Sequence, residues 1–446
     1  MILRDYQQDL FSDTQQAFRR GYKRVLVVSP CGSGKTVLAS YMAHAAAQNG
    51  NHVWYIVPRQ EILEQTLECF DLCGFSTNNI HIGMTITTAN HMDELSRPNL
   101  IIFDECHLSV AATYWKIVNQ NPDAYIVGLT ATPCRTDNKP LGALYETMVE
   151  RVDVRWLIDH QKLAPYEYYS VKVSDLTETM TDEQAEELLM KSAVYGKVID
   201  SWRRFSHSEQ TVVYCAGVKH SKQMAQKFLD EGIRAEHFDG GTPPKERKRI
   251  VEDFRSGKIK VLCNCDLISM GFDMPDIGCV LMARPTQSAS LFIQQSGRAL
   301  RYKPNKTAII IDAVGNYTRF NLPDVPYEWS LEEGIKLPRR MTSEGDFTLR
   351  VCTNCYRAFR TAPICPYCKQ PYPLSKREIQ AHEEIELKRI TQEEAERMAE
   401  IRKKQRMEQG KARSFEELVA IGKARGMRNP TGWAFYVMKG RKNNAI

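Results

Sequence analysis

Hydrophobic residues along the chain gather in short, nearly continuous runs. Val25-Leu26-Val27-Val28 is the first, and His52–Val57, Leu100-Ile101-Ile102-Phe103 and Tyr125–Leu129 follow. Runs that stay apolar at successive positions predict strands buried on both faces, as in a parallel sheet. The amphipathic stretches between them predict covering helices, at about 35–48 ending near Gly50 and at about 59–73. The rhythm lapses from about 150 to 195, a polar stretch richer in Glu and Tyr. It restarts with candidate strands Thr211–Cys215, Arg234–Phe238, Ile259–Cys263, Cys279–Ala283 and Thr307–Ile311. The pattern predicts two α/β lobes, 1–150 and 195–325, joined by a linker at 151–194.

Beyond the second lobe the pattern changes. A cysteine cluster occupies 345–375. Residues 376–412 are dense in Glu, Lys and Arg and hold no Phe, Tyr or Trp, which predicts a long solvated helix. A small basic helical unit at 413–446 contains Phe415, Leu418, Trp433, Phe435 and Tyr436. Solenoid repeats and low-complexity tracts are absent from the sequence. The length of 446 residues exceeds one ordinary core and fits two large domains with smaller pieces. No run of about 18 apolar residues predicts a membrane span. The start of the chain lacks the apolar stretch of a signal peptide, so a cytoplasmic protein is expected. Net charge is only +6, but residues 401–446 hold twelve Lys and Arg against three Glu. A tail of this kind suits either a polyanionic partner or plain solvation.

The candidate chemistry sits where the strands end. Ser29-Pro30-Cys31-Gly32-Ser33-Gly34-Lys35-Thr36 follows a buried strand and opens a helix, the setting a phosphate-binding loop requires. Glycines let backbone N–H groups approach phosphates, and the helix N-terminus favours an anion. Lys35 is placed to reach the β- and γ-phosphates of ATP, and Thr36 to ligate Mg²⁺. Ser29 stands where the usual pattern has its first glycine. Asp104-Glu105-Cys106-His107 follows the strand Leu100–Phe103, at the end where α/β sheets bind ligands. Asp104 is the candidate Mg²⁺ holder, and Glu105 the candidate base that orients and deprotonates water. In the second lobe, Gln294-Gln295-Ser296-Gly297-Arg298-Ala299-Leu300-Arg301 puts two arginines three apart, on one helix face. They suit an arginine-finger role; by themselves they read equally as an exposed basic helix.

Together these segments resemble a superfamily 2 helicase of the DExH type, over about 1–320 and in the family's order. The resemblance implies two tandem RecA-like P-loop NTPase domains. It casts Gln7, in Leu3-Arg4-Asp5-Tyr6-Gln7, as the reader of adenine, with Tyr6 or Arg4 helping to hold the base. Val57-Pro58-Arg59-Gln60 resembles a segment that contacts nucleic-acid backbone. His107, Thr130 and Thr132 would couple hydrolysis to movement, the threonines lying in Gly-Leu-Thr-Ala-Thr-Pro. Tyr214-Cys215-Ala216 and Asn264 through Asp273 resemble second-lobe motifs, with Gly271 and Asp273 bordering the nucleotide. Gln294 to Arg301 resembles the last motif, where Gln294, Arg298 and Arg301 join the catalytic set. Within the superfamily, Arg284-Pro285-Thr286-Gln287-Ser288, the final motif and the trailing cysteines resemble bacterial RadD-like proteins and their phage relatives. That likeness implies an enzyme of DNA repair acting on DNA, single-stranded or branched, with replication or repair proteins as candidate partners; nothing in the sequence demands an oligomer, so a monomer is expected. RNA remains the alternative, as does a nucleotide-gated clamp that does not unwind.

Cys352, Cys355, Cys365 and Cys368 form two CxxC pairs. Four thiolates at this spacing suit one tetrahedral Zn²⁺ in a closed, structural site, a zinc-ribbon module. Tyr356, Arg357, Phe359, Arg360, Tyr367 and Lys369 around the knuckles suit either a grip on nucleic acid or packing of the module itself.

Overall fold

The computed structural model describes residues 3–108, 111–135, 140–170, 192–265, 277–286, 288–332, 334–336, 349–352, 354–360, 362–371, 412, 414–424, 431 and 434. Residues 1–372 form one compact unit and 373–446 a second.

The first lobe contains α1 (Asp5–Arg19), β1 (Arg24–Val28), α2 (Lys35–Gln48), β2 (Val53–Val57), α3 (Gln60–Cys73), β3 (Ile80–Met84), α4 (Thr85–Asn90), β4 (Leu100–Phe103), α5 (Ala111–Gln120), β5 (Tyr125–Thr130) and β6 (Thr147–Glu150). Its sheet runs β3-β2-β4-β5-β1-β6, and every pairing is parallel. β1, β2, β4 and β5 have neighbours on both sides and helices on both faces, hence their unbroken apolar sequences. In α1 the buried residues, Tyr6, Gln7, Leu10, Thr14 and Ala17, recur at helical spacing, so one face of the helix lies on the sheet.

The chain then passes through α6 (Val154–Asp159) to β7 (Tyr166–Ser170), and later α7 (Ser192–Phe205), β8 (Thr211–Cys215), α8 (Val218–Asp230), β9 (Ala235–Phe238), α9 (Pro244–Arg255), β10 (Val261–Asn264), β11 (Cys279–Ala283), α10 (Ala289–Ala299), β12 (Ala308–Asp312) and α11 (Tyr317–Phe320). The second sheet is also wholly parallel, in the order β7-β12-β11-β8-β10-β9. This corrects the linker assignment for 166–170, which are an edge strand of the second sheet. Tyr-Glu-Tyr-Tyr-Ser carries no apolar run because within that sheet an edge strand has a neighbour on one side only.

After α11 the chain returns to the first lobe through the hairpin β13 (Glu328–Ser330) and β14 (Gly334–Lys336). There Trp329 and Leu331 pack on the first-lobe core, and Gly142 N–H donates to Leu331 O at 2.8 Å. A second hairpin, β15 (Leu349–Val351) and β16 (Ala358–Arg360), carries the cysteine cluster. In the unit 373–446 the described residues include one helix, α12 (Phe415–Ala424), started by Ser414 Oγ accepting from Glu417 N–H at 3.1 Å. Leu418, Ala412 and Ala434 form its small core. The charged segment 376–411, Trp433, Phe435 and Tyr436 lie outside the described residues, as do Gly271 and Asp273. Among the described residues no helix is long and apolar enough to cross a membrane.

Candidate active site

The loop between β1 and α2 is shaped by its own hydroxyls and glycines. Ser29 N–H donates to Thr130 O at 3.0 Å, tying the loop to β5. Ser29 Oγ and Ser33 Oγ stand 2.7 Å apart, a link across the loop that the departure from glycine at Ser29 makes possible. Gly32 and Gly34 have φ of +78° and +84°, a left-handed backbone that side chains disfavour. A Cβ on Gly34 would also lie 2.7 Å from Gln7 Nε2, and one on Gly32 2.8 Å from Leu163 Cδ2. Lys35 is the first residue of α2, and its Nζ donates to Pro30 O at 3.4 Å.

A cavity of about 400 Å³ opens between this loop and the second lobe. From the first lobe, Cys31, Gly32, Gly34, Lys35, Thr36, Asp104, Glu105 and His107 face it. From the second, Gln294, Gly297, Arg298 and Arg301 do. The lobes pack tightly at Gly297, where a Cβ would lie 2.6 Å from Cys31 Cβ. Only glycine lets α10 come this near the loop. The turn of the chain after α6 completes the wall: Ala164 N–H donates to Leu300 O at 2.8 Å, and Leu163 is bridged to Arg301.

Opposite charges are concentrated around this cavity. Burial and the adjacent Glu105 carboxylate push Asp104 up to about 6, with Lys35 opposing them. Asp104 Oδ2 accepts from Tyr55 OH at 3.1 Å and Oδ1 from Glu105 N–H at 2.8 Å. Burial works against the Lys35 ammonium, yet Glu105, Cys31 and Asp104 hold its pKa above the ordinary value. Burial likewise raises the Cys31 thiol. Glu105 takes a left-handed backbone, φ 44°, and its Oε2 is buried without a hydrogen-bond partner, 3.4 Å from His107 Nδ1.

Burial pulls the His107 pKa down, against the raising pull of Glu105, which favours the neutral ring. Gln294 Nε2 lies 2.8 Å from His107 Nε2, across the cleft. With the amide as donor there, His107 carries its proton on Nδ1, which faces Thr130 Oγ1 at 3.0 Å. Thr130 Oγ1 in turn donates to Thr132 O at 2.8 Å and accepts from Thr132 N–H at 3.0 Å.

Two residues assigned from the resemblance sit elsewhere. Tyr6 OH donates to Ser33 O at 2.6 Å beneath the loop, and its ring edge meets Trp156. Gln7 Oε1 accepts from Arg4 N–H at 3.0 Å, and its Nε2 donates to Ser33 O at 3.2 Å and Gly34 O at 3.1 Å. Both are buried and braced against the loop rather than turned toward the cavity. Arg4 does face the cavity. Pro30 and Ser33 line no part of it; they close the loop from within. Lys162, Tyr302 and Gln65 line it as well, and sequence reasoning missed them because they lie outside any recognisable motif.

The cysteine cluster is built from two matching knuckles. Tyr356 N–H donates to Cys352 O at 2.8 Å, and Lys369 N–H to Cys365 O at 3.0 Å. Both residues are left-handed, φ 60° and 63°. The four Sγ atoms lie within 4.8 Å of one another, with Cys352–Cys368 at 3.5 Å and Cys355–Cys365 at 3.7 Å. Tyr356, Phe359 and Arg357 pack the module rather than offering a free surface. Arg357 Nη2 meets Glu167 Oε1 at 2.5 Å and its Nε donates to Tyr169 OH at 3.2 Å, both on β7. Arg204 lies over the Tyr356 ring and donates to Asn354 O at 3.0 Å. Phe359 is buried, and Tyr367 is half exposed beneath Arg357.

Comparison with known proteins agrees with this architecture. Residues 1–135 match the family described as "Type III restriction enzyme, res subunit", and 191–303 match the "Helicase conserved C-terminal domain". The chain is 34% identical over 377 residues to the "51.5 kDa protein" of a Lactococcus phage (isolate 7-9), covering 82% of each. It is 31% identical over 358 residues to the "Putative ATP-dependent helicase IRC3" of Saccharomyces cerevisiae, covering 70% of this chain and 52% of the yeast protein. Among solved structures, the "ATP-dependent Type ISP restriction-modification enzyme LlaBIII bound to DNA" shares the fold, with TM-score 0.52 and 16% identity over 71% of this chain and 28% of that one. Two RecA-like lobes enclosing a phosphate-loop cleft, with these matches, show that the chain belongs to the superfamily 2 helicases. It is a nucleic-acid-dependent ATP hydrolase.

Proposed function

We propose that the chain is a DNA-directed helicase or translocase whose ATP binds in the 400 Å³ cleft cavity and is hydrolysed there. The observation that carries this is the convergence of Lys35, Thr36, Asp104 and Glu105 from one lobe with Gln294, Arg298 and Arg301 from the other. Neither half suffices, so turnover belongs to the closed cleft. Lys35 and the N–H groups of the loop hold the phosphates. Glu105, with a carboxylate oxygen free of hydrogen bonds, orients and deprotonates the attacking water. Arg298 and Arg301 neutralise charge growing on the transferred phosphoryl group. Asp104 and Thr36 would hold Mg²⁺, which when bound supplies charge neutralisation at the phosphates. The fit rests on the buried Asp104 carboxylate, raised in pKa by burial and by Glu105, which a cation would relieve.

The preference for DNA draws on the RadD-like segments and on a 28% identical relative over 346 residues, the "DNA 3'-5' helicase XPB" of Mycobacterium tuberculosis, of which the chain covers 60%. The basic tail at 401–446 agrees with a polyanion. ATP hydrolysis measured with single-stranded DNA, forked DNA and RNA tests the whole reading. DNA should stimulate turnover most, and Glu105→Gln should abolish it. Equal turnover in the wild type and Glu105→Gln overturns the assignment.

The four cysteines fit Zn²⁺. Sulfurs at about 2.3 Å from a tetrahedral ion lie about 3.8 Å apart, close to the spacings seen. Metal analysis of the purified protein should find one zinc per chain, lost in Cys352→Ser.

A further inference from the structure

Ser290 belongs to no motif, yet it completes a hydrogen-bonded circuit that crosses the cleft twice. It lies on α10 one turn before Gln294 and is fully buried. Its Oγ stands 2.6 Å from Thr132 Oγ1, on the first lobe, and accepts from Gln294 Nε2 at 3.2 Å. Either hydroxyl can donate in the Ser290–Thr132 bond, since an oxygen that accepts from the Gln294 amide keeps a second lone pair. The circuit then closes: Thr132 backbone to Thr130 Oγ1, Thr130 Oγ1 to His107 Nδ1, and His107 Nε2 to Gln294 Nε2. His107 stands 3.4 Å from the Glu105 carboxylate.

We infer that Ser290 is a positioning residue for hydrolysis: it locks the Gln294 amide and the Thr132 hydroxyl together, so that His107 and Glu105 take their working geometry only when the lobes are closed. This rests on the ATPase reading given above. Gln294 alone makes one crossing, about which its amide can rotate. The bond from Ser290 to Gln294 fixes that rotation, and the bond from Ser290 to Thr132 makes the second crossing. When the cleft opens, Ser290 keeps Gln294 on its own helix but loses Thr132, so the bond between the two hydroxyls belongs to the closed form.

The test is a double-mutant cycle read in steady-state kinetics with single-stranded DNA present. Ser290→Ala should lower kcat about tenfold, the weight of one buried hydrogen bond, with KM for ATP changed less than about twofold. Thr132→Val should do the same, the double variant should be no worse than either, and Thr132→Ser, which keeps the hydroxyl, should restore most of the turnover. Circular dichroism melting of each variant separates loss of fold from loss of coupling. A Ser290→Ala kcat within twofold of the wild type, or losses that multiply in the double variant, overturns the inference. Glu105→Gln run alongside distinguishes the failures: if it is inactive while Ser290→Ala is normal, only the role of Ser290 falls. If Glu105→Gln turns over normally, the ATPase reading falls with it.

Discussion

The two sheets share a parallel plan and differ at one connection. In the first lobe, six residues separate β1 from α2, and two of them, Gly32 and Gly34, hold a left-handed backbone. In the second lobe, β8 runs into α8 through Ala216 and Gly217 alone. Gly217 is extended, φ −153°, and Ala216 N–H donates to His220 Nδ1 at 3.2 Å. That short turn leaves no ring of N–H groups for a phosphate. The second lobe instead brings Gln294 and Arg298 on α10, and Arg301 just past its end, to the first lobe's loop. The same architecture thus carries a glycine loop once, and the repeat supplies the facing wall of the cavity.

The comparison can be broken at several points. The largest effect belongs to the loop itself: Lys35→Ala should reduce DNA-stimulated ATP hydrolysis by about a thousandfold or more, since it removes a charge held in the cleft against Glu105 and Asp104. Next, Arg298→Ala or Arg301→Ala should lower kcat by about 10²–10³ while nucleotide still binds, measured with a fluorescent ATP analogue beside turnover. Loss of nucleotide binding in step with kcat would deny the second lobe its separate role.

A sharper contrast pairs two glycines. Gly34→Ala introduces a side chain at φ +84° and against Gln7, so about 1–3 kcal/mol of strain falls on the phosphate loop and the KM for ATP should rise at least tenfold. Gly217→Ala meets an extended backbone that alanine readily adopts, and its KM for ATP should stay within about twofold. The smallest effect should come from the cysteine module. If the four cysteines hold zinc as proposed, adding a chelator should lower the melting temperature by about 2–4 °C for each kcal/mol of docking lost at Arg357 and Tyr356, read by calorimetry. A larger fall in kcat than in melting temperature would move the module from scaffold to engine.

Much of the catalytic cleft was legible along the chain because its parts are local. Ser29–Thr36 and Asp104–His107 each follow an apolar strand, so strand, turn and helix start are written in consecutive residues. The parallel class follows from runs without alternation, as β1, β2 and β4 show. The edge strand β7 was hidden, because a one-sided strand of Tyr, Glu and Ser has no apolar signature. The resemblance casts Tyr6 and Gln7 at the base, whereas their contacts with the carbonyls of Ser33 and Gly34 come only from packing, which no local spacing records.

The sequence by itself determined the fold class, the phosphate loop, the acidic box and the four-sulfur cluster, all carried by spacing within a few residues. Only the tertiary structure decided that Ser290 meets Thr132, that Gly297 lets α10 reach Cys31, and that Lys162 and Tyr302 close the cavity. Those contacts join residues more than a hundred positions apart, and a chain records no distance between residues until both lobes have folded and closed.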